Sequence, residues 1–552
     1  MSRSERNQLS RRGLLAGAGV VAAGALGAGL IGASPATAAP AAPSPDEGGP
    51  EATPFGPVSI RPGDSRYDSM LRGDNFRFVG DPDEVRVVSS TAAVVAAVGD
   101  AVRAGKQIAV RSGGHCFENF TADPSIKMLV DISPMDAVGF DPKMGAFVVE
   151  PGATLGRVYT ALYKGWGVTI PAGGCPEVGA GGHFLGGGYG PLSRRYGSVV
   201  DHLHAVEVVV VGADGTARAV VATRDPHDPN NDLFWAHTGG GGGNFGVVTR
   251  YWLRSPGATG TNPAQLLPPA PAEMLGWLVE WVWDEHMTEQ AFTTLLRNFG
   301  VWHENNSAPG TPADGMYPIL IIPNVTGGGI QLVVQMDAGL PNAQGMLNDL
   351  IAAVNAGTGL TPAVNTGVTM PWLHMTTWPG DGEGGDKTTR RYKLKAGYLR
   401  KSLTDAQLST IYTYLSNPAN PSGGMLFVGY GGQVQAIAPD ATAVAQRDVV
   451  MKAVYQTYWS DESDDAGQLA WIRSFYRDIY AATGGVPVPN DVSDGSYINY
   501  PDADLADPAW NTSGVPWSTL YYKDNYPRLQ QVKAKWDPRD IFHHALSIEL
   551  PS

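Results

Sequence analysis

Apolar positions in the first half of the chain alternate between short unbroken runs and stripes at helical spacing. Runs rich in β-branched residues at 85–88, 108–110, 128–132 and 146–149 predict strands, and the nearly continuous run at 206–211 predicts a buried one. Between them, residues 90–105 repeat at helical spacing, with Ser90 and Thr91 as the start and Gly105 as the stop. Residues 154–164 read the same way. Past a Pro/Ala/Gly-rich change of texture at 255–271, helices are predicted over 274–283, 343–356 and 405–415. Strands are predicted there over 319–322, 330–335 and 425–428. No internal repeat or heptad shows, so the texture is α+β.

One stretch, residues 171–201, breaks every period. Its glycines, among them Gly179, Gly181, Gly182, Gly187 and Gly188, are too many for a helix or strand interior. Backbone without side chains can approach a bulky ligand closely and turn its N–H groups onto it, and a diphosphate is the obvious recipient. No Gly-Lys-Ser/Thr follows, so this is not a P-loop, and it is not the short dinucleotide fingerprint that opens a single helix. Cys175, His183, Phe184, Tyr189 and Arg194 are interleaved, which a flexible linker would not need. A second glycine loop at 239–246 runs into a strand through Gly246 and Val247. The last stretch, opening with Tyr497-Ile498-Asn499-Tyr500, is unusually aromatic for a tail.

The ends and the charge narrow the class. Residues 1–38 read as an export signal: Ser10-Arg11-Arg12-Gly13-Leu14-Leu15 is a twin-arginine motif, an Ala/Gly-rich apolar run follows, and Ala36-Thr37-Ala38 offers a cleavage site. That route carries folded proteins and hints at a cofactor acquired before export. Residues 39–56 read as a flexible linker. The 552 residues carry a formal charge of −14, and removing residues 1–38, with four basic and one acidic residue, leaves −17. This argues against nucleic acid and anionic membrane surfaces as partners. Two cysteines, Cys116 and Cys175, are too few for a disulfide scaffold, although one bridge between them is open on count alone. No His/Cys/Asp cluster has ligand spacing, and His543-His544 are adjacent rather than spaced for one face, so no metal is expected.

Four motifs in order then carry a resemblance: Arg111-Ser112-Gly113-Gly114-His115, the run 179–196, residues 232–249, and the closing Tyr497-x-Asn499-Tyr500 with Asn525-Tyr526-x-Arg528-Leu529 and Asp537-Pro538. Together they resemble the berberine bridge enzyme-like flavin oxidases of the vanillyl-alcohol oxidase superfamily, over nearly the whole chain after the signal. The resemblance implies a split FAD-binding domain, residues 57–255 plus 486–552, with an inserted antiparallel-sheet and helix substrate domain at 256–485. It implies FAD bound bicovalently, His115 to the 8α-methyl and Cys175 to C6, although here Gly173-Gly174 precede Cys175 directly. An imidazole nitrogen and a thiolate are reasonable nucleophiles towards an electron-poor ring. Arg111, Ser112, Gly113, Gly114, His183, Tyr497 and Asn499, with the glycines named above, Gly246 and Val247, are then expected to contact the cofactor.

The reaction implied is oxidation of an alcohol or hemiacetal of a sugar, glycoside or secondary metabolite. Hydride passes to flavin N5, and dioxygen is reduced to hydrogen peroxide. Tyr500 is the expected base, with a pKa pulled well below about 10, and Tyr430 its expected partner. The partners are therefore a small-molecule substrate and dioxygen, and the location is outside the cell. Val178 stands where the family's oxygen-access residue falls. Asp201-His202-Leu203 replaces a common Asp-Asn-Leu. Trp372, His374, Trp378, Tyr392 and Tyr398 could form a stacking platform, but aromatics at such spacing are more often core. The alternatives are oxidative cyclisation or dehydrogenation of an alkaloid or polyketide, and a flavin- or carbohydrate-binding protein without turnover.

Overall fold

Three sheets organise the chain, an α+β architecture of the FAD-binding type. The computed structural model describes residues 55–379 and 386–552, so the expected export signal and nearly all of the expected linker lie outside the described residues. The first sheet holds β1 (Val58–Ile60), β2 (Glu84–Val87), β3 (Gln107–Arg111) and β4 (Ile126–Asp131) in the order β1-β2-β4-β3. β4 runs parallel to both β2 and β3. The helix Thr91–Ala104 joins β2 to β3 and begins and ends as its sequence requires. Ser90 Oγ accepts the Ala93 N–H at 3.3 Å, and Gly105 closes the helix at φ 62°.

The second sheet is antiparallel, with β5 (Val138–Asp141), β6 (Ala146–Val149), β7 (Leu203–Val211), β8 (Ala217–Thr223) and β9 (Val247–Leu253) in the order β5-β6-β9-β7-β8. β7 lies between two neighbours and buries nearly every side chain, which is why it reads as an unbroken apolar run.

The third sheet has seven antiparallel strands, all between residues 273 and 459. They are β10 (Glu273–Trp281), β11 (Met316–Pro323), β12 (Ile330–Asp337), β13 (Val364–Pro371), β14 (Arg391–Leu399), β15 (Gly423–Gly429) and β16 (Met451–Trp459). Their order is β13-β10-β12-β11-β15-β16-β14. The helix expected at 274–283 is instead β10, paired along its length with β12 and β13. An apolar run of that length does not distinguish a buried strand from a helix, and the two flanking ladders decide it. The helices Ala343–Asn355 and Asp405–Leu415 fall where they are predicted. Strands β14 and β16 escape prediction because Lys393, Lys395 and Lys452 interrupt their apolar pattern. All three lysines are buried.

Helices cover one face of this sheet. Along β11 and β15, alternate side chains (Tyr317, Ile319, Ile321, then Leu426 and Val428) point from the other face into a cavity. Among the described residues no helix is long and apolar enough to cross a membrane.

Candidate active site

The cavity, of about 500 Å³, lies between that sheet face and two glycine-rich loops. It falls in the size range of sites that enclose a cofactor or a drug-sized ligand. One wall is the exit of β3, residues 111–117, another is residues 173–183, and a third is residues 241–248. The aromatic segment at 497–501 closes one end, and Phe542, His543 and His544 close another.

The glycines divide into two kinds. Some, such as Gly113, Gly179, Gly181 and Gly190, are there because backbone packs closely on them, and others because a side chain does. A Cβ on Gly113 would fall on the Gly179 backbone, with Gly179 Cα 2.8 Å away, and a Cβ on Gly179 would meet Ser112 Oγ and Gly113. These two glycines let the β3 exit cross the long glycine run. Gly187 and Gly188 do not line the cavity; the Gly188 N–H donates to Tyr497 Oη at 3.0 Å. Gly174 and Gly182 are different. They line the cavity, and nothing lies within 4 Å of a Cβ built on either. The expectation that this run faces a ligand therefore applies to a few of its glycines, and the others hold the loops together.

The structure brings His115 and Cys175 to the same cavity. Neither cysteine is in a disulfide, so the bridge left open on count is absent. Arg111 reaches the lining, but its guanidinium is taken up by the protein. Nε and Nη2 donate to Asp131 at 3.0 and 2.7 Å, and Nη1 donates to the Met70 and Arg72 carbonyls. These bonds fix the β3 exit at the edge of the cavity. Ser112 Oγ donates to the Pro151 carbonyl at 2.6 Å. His183 Nε2 accepts the Gly173 N–H at 3.1 Å, which makes the ring neutral with its proton on Nδ1. Burial and the neighbouring Lys452 push its pKa down to about 3. Asn499 Nδ2 donates to the His183 carbonyl at 2.8 Å and to Tyr497 Oη at 3.0 Å, so the Tyr-x-Asn motif is fastened to the glycine run. Gly246, Val247 and Val178 also line the cavity.

Tyr500 faces the cavity, but the hydroxyl beside it is not that of Tyr430. Tyr189 Oη lies 2.7 Å from Tyr500 Oη, and Tyr189 lines the cavity too. Tyr430 is buried behind Tyr189, ring centroids 5.4 Å apart and edge-on, with its hydroxyl 3.3 Å from Ser198 Oγ. It does not line the cavity, which corrects its expected place as the partner of Tyr500. Phe117 stacks on the other side of Tyr500, centroids 5.6 Å apart and 13° from parallel. Of the expected stacking platform only Trp378 lines the cavity. Trp372, Tyr392 and Tyr398 are core, and His374 is exposed. Asp201 is also away from the cavity, in a buried pair with Arg447, 2.8 Å from Oδ1 to Nη2.

Sequence reasoning missed Lys452. Its ammonium lies 3.1 Å from the Tyr189 ring centroid, 3.7 Å from that of Tyr497 and 4.2 Å from that of Tyr430, with no hydrogen-bond acceptor on Nζ. Burial holds its pKa well below the usual lysine range. It also holds the Tyr189 hydroxyl well above the usual tyrosine range. Burial therefore disfavours the charged form of each group. A lone lysine inside the apolar run 449–454 is the only sequence signal for it.

Burial pushes the Cys116 thiol up to about 11, so it is protonated and inert at neutral pH. Iodoacetamide at pH 8 is expected to leave Cys116 unmodified in the folded protein and to modify it after denaturation, as read by peptide mass. Rapid labelling of the folded protein at pH 8 would contradict this.

These features fit FAD: a cavity of about 500 Å³, exposed glycine backbone at Gly174 and Gly182, and an imidazole and a thiol on its walls. Among the described residues no group of three or more His, Cys, Asp or Glu could hold a metal ion. Residues 82–220 match the FAD binding domain family, and residues 496–549 match the berberine and berberine-like family. Aclacinomycin-N/aclacinomycin-A oxidase of Streptomyces galilaeus is 56% identical over 489 residues, 88% of this chain and 89% of the relative. Hexose oxidase of Chondrus crispus is 31% identical, covering 89% of this chain and 94% of its own. Among solved structures, aclacinomycin oxidoreductase (55% identity) superposes with a TM-score of 0.87, over 90% of this chain and 99% of that one. A glycopeptide hexose oxidase complexed with teicoplanin (51% identity) gives 0.86 over the same shares. The chain therefore belongs to the berberine bridge enzyme-like FAD-linked oxidases and is an oxidoreductase acting on CH–OH groups.

Proposed function

We propose that this protein oxidises an alcohol of a sugar or polyketide carried on a larger apolar body, with Tyr500 as the base and FAD tethered through His115 and Cys175. The observation that carries this reading is the Tyr189–Tyr500 hydroxyl pair, 2.7 Å apart, at the end of a cavity walled by His115 and Cys175. The chemistry supplied by bound FAD is acceptance of hydride from the alcohol carbon and its return to dioxygen as hydrogen peroxide. The protein's task is to orient the alcohol and take its proton. Tyr500 receives that proton at Oη. Tyr189 is positioned to share it through the short hydrogen bond. Neutral His183 holds Gly173, two residues before the Cys175 tether.

The substrate class follows from the sheet face. Ile319, Ile321, Leu394, Leu426, Val428 and Val454 offer branched aliphatic surface, and Tyr317, Gln335, Gln456 and Tyr458 are the hydrogen-bonding side chains that the sheet adds to it. That favours a sugar attached to a larger apolar body, as in the glycopeptide hexose oxidase, over a free hexose. The remaining parts of the reading are a flavin-binding part at 57–255 and 486–552, a substrate part at 256–485, oxygen access past Val178, and export by the twin-arginine signal.

The test is an absorbance and mass spectrum of the denatured protein, followed by peroxide assays with aclacinomycin N and with D-glucose. Yellow colour that stays on the denatured polypeptide, a mass raised by one FAD, and faster turnover of the glycoside are expected. A colourless chain at apoprotein mass would remove the tethers. Preference for glucose would reverse the substrate assignment.

A further inference from the structure

Behind the catalytic end lies a cluster of six charges from four parts of the chain. Glu118 stands three residues after His115, Lys393 and Lys395 flank the cavity-lining Leu394 on β14, and Asp502 and Asp504 follow Tyr500 by two and four residues. Lys393 Nζ pairs with Glu118 and lies 2.7 Å from Asp502 Oδ1. Lys395 Nζ lies 2.7 Å from both Asp502 Oδ2 and Asp504 Oδ2. Arg473 closes the far end on Asp504 at 2.7 Å. Three cations meet three carboxylates, so the cluster is neutral. The side chains of Lys393, Lys395 and Asp502 are no more than 3% exposed. Glu118 also accepts the Ala503 N–H at 3.3 Å.

Stability does not account for this arrangement, because apolar residues of the same volume commonly stabilise as well as a buried ion network. What the ions add is register. Each oxygen of Asp502 meets a different lysine, and the two lysines are fixed two residues apart on one face of a strand. A slip of the 500–504 segment against β14 would leave buried charges unpaired.

We infer that this cluster is a positioning device for Tyr500: it sets the phenol against Phe117 and Tyr189 and ties it to both the His115 loop and the substrate sheet. The inference rests on Tyr500 being the base, so its test separates the two. In the flavin-loaded enzyme, 3-fluorotyrosine is placed at position 500 and its 19F resonance is compared with and without Asp502→Asn. In parallel, kcat and KM for aclacinomycin N are measured for Asp502→Asn, Tyr500→Phe and the double variant. Asp502→Asn is expected to move or broaden the 19F resonance. It is also expected to lower kcat about 100-fold, as small misplacements of a reacting group do, with KM changed less than about threefold. That loss should vanish in the Tyr500→Phe background, and Lys395→Arg should retain most of kcat where Lys395→Met does not. If Asp502→Asn does not fold, Lys395→Met carries the same comparison, since Asp502 keeps Lys393 and Asp504 keeps Arg473. An unchanged 19F resonance, or an equal loss of kcat in the Tyr500→Phe background, overturns the inference. If Tyr500→Phe itself keeps the parent kcat, the base assignment falls, and the 19F comparison alone decides whether the cluster positions the ring.

Discussion

Tyr500→Phe is expected to lower kcat by about 10²–10⁴-fold, the usual contribution of a positioned acid–base group, while flavin binding and the fold remain. The phenyl ring keeps its stacking on Phe117, so the loss isolates the hydroxyl. Tyr189→Phe removes the other half of the 2.7 Å pair and is expected to cost less, because Tyr500 Oη still faces the cavity. Tyr430→Phe is expected to change kcat little, since that hydroxyl lies behind Tyr189. Single-turnover flavin bleaching across the three variants gives the ranking. If Tyr430→Phe proved the most damaging, the proton path through Tyr189 would be wrong.

Gly190→Ala is expected to abolish the folded, flavin-loaded enzyme. A Cβ there would land on the Ala172 carbonyl oxygen, with Ala172 C at 2.6 Å and Gly173 Cα at 2.9 Å. Neither segment is free to retreat. The Gly190 N–H donates to Ser193 Oγ, which donates in turn to the Pro171 carbonyl, both at 3.0 Å. The contact is backbone on backbone, so the cost should exceed the about 1–3 kcal/mol typical of overpacking with side chains. Gly174→Ala, sixteen residues earlier in the same run, adds its methyl to open space and is expected to leave the melting temperature nearly unchanged. Equal melting temperatures for the two variants would mean that the glycine run tolerates bulk, and that its contact with the Ala172 backbone is not fixed.

The parts legible in the sequence were those fixed by local chemistry. Ser90 and Gly105 announced their helix, the glycine runs announced a ligand, and the four motifs taken together carried the resemblance that implied a flavin. The illegible parts depend on partners distant in the chain. β10 reads as a helix until β12 and β13 flank it. Lys393 and Lys395 interrupt the apolar pattern of β14, and the partners that bury them, Asp502 and Glu118, lie more than a hundred residues away. Tyr430 and Tyr189 are equally plausible partners for Tyr500 by type, and only packing separates them. The same distant pairing hid Lys452, whose neighbours are rings from positions 189, 398, 430 and 497.

The lining contributed by Phe542, His543 and His544 also bears on the timing of synthesis. Lys533, fully buried, donates to the Asn244 and Phe542 carbonyls, and the Ile548 N–H donates to Asn244 Oδ1. The cavity wall at 241–248 is thus braced by residues translated some three hundred positions later. While the ribosome still holds those residues, the nascent chain can fold its first sheet but cannot close the cavity. Cofactor capture is therefore a post-translational event, and ribosome-bound chains stalled before residue 533 should take up no flavin, however long they wait.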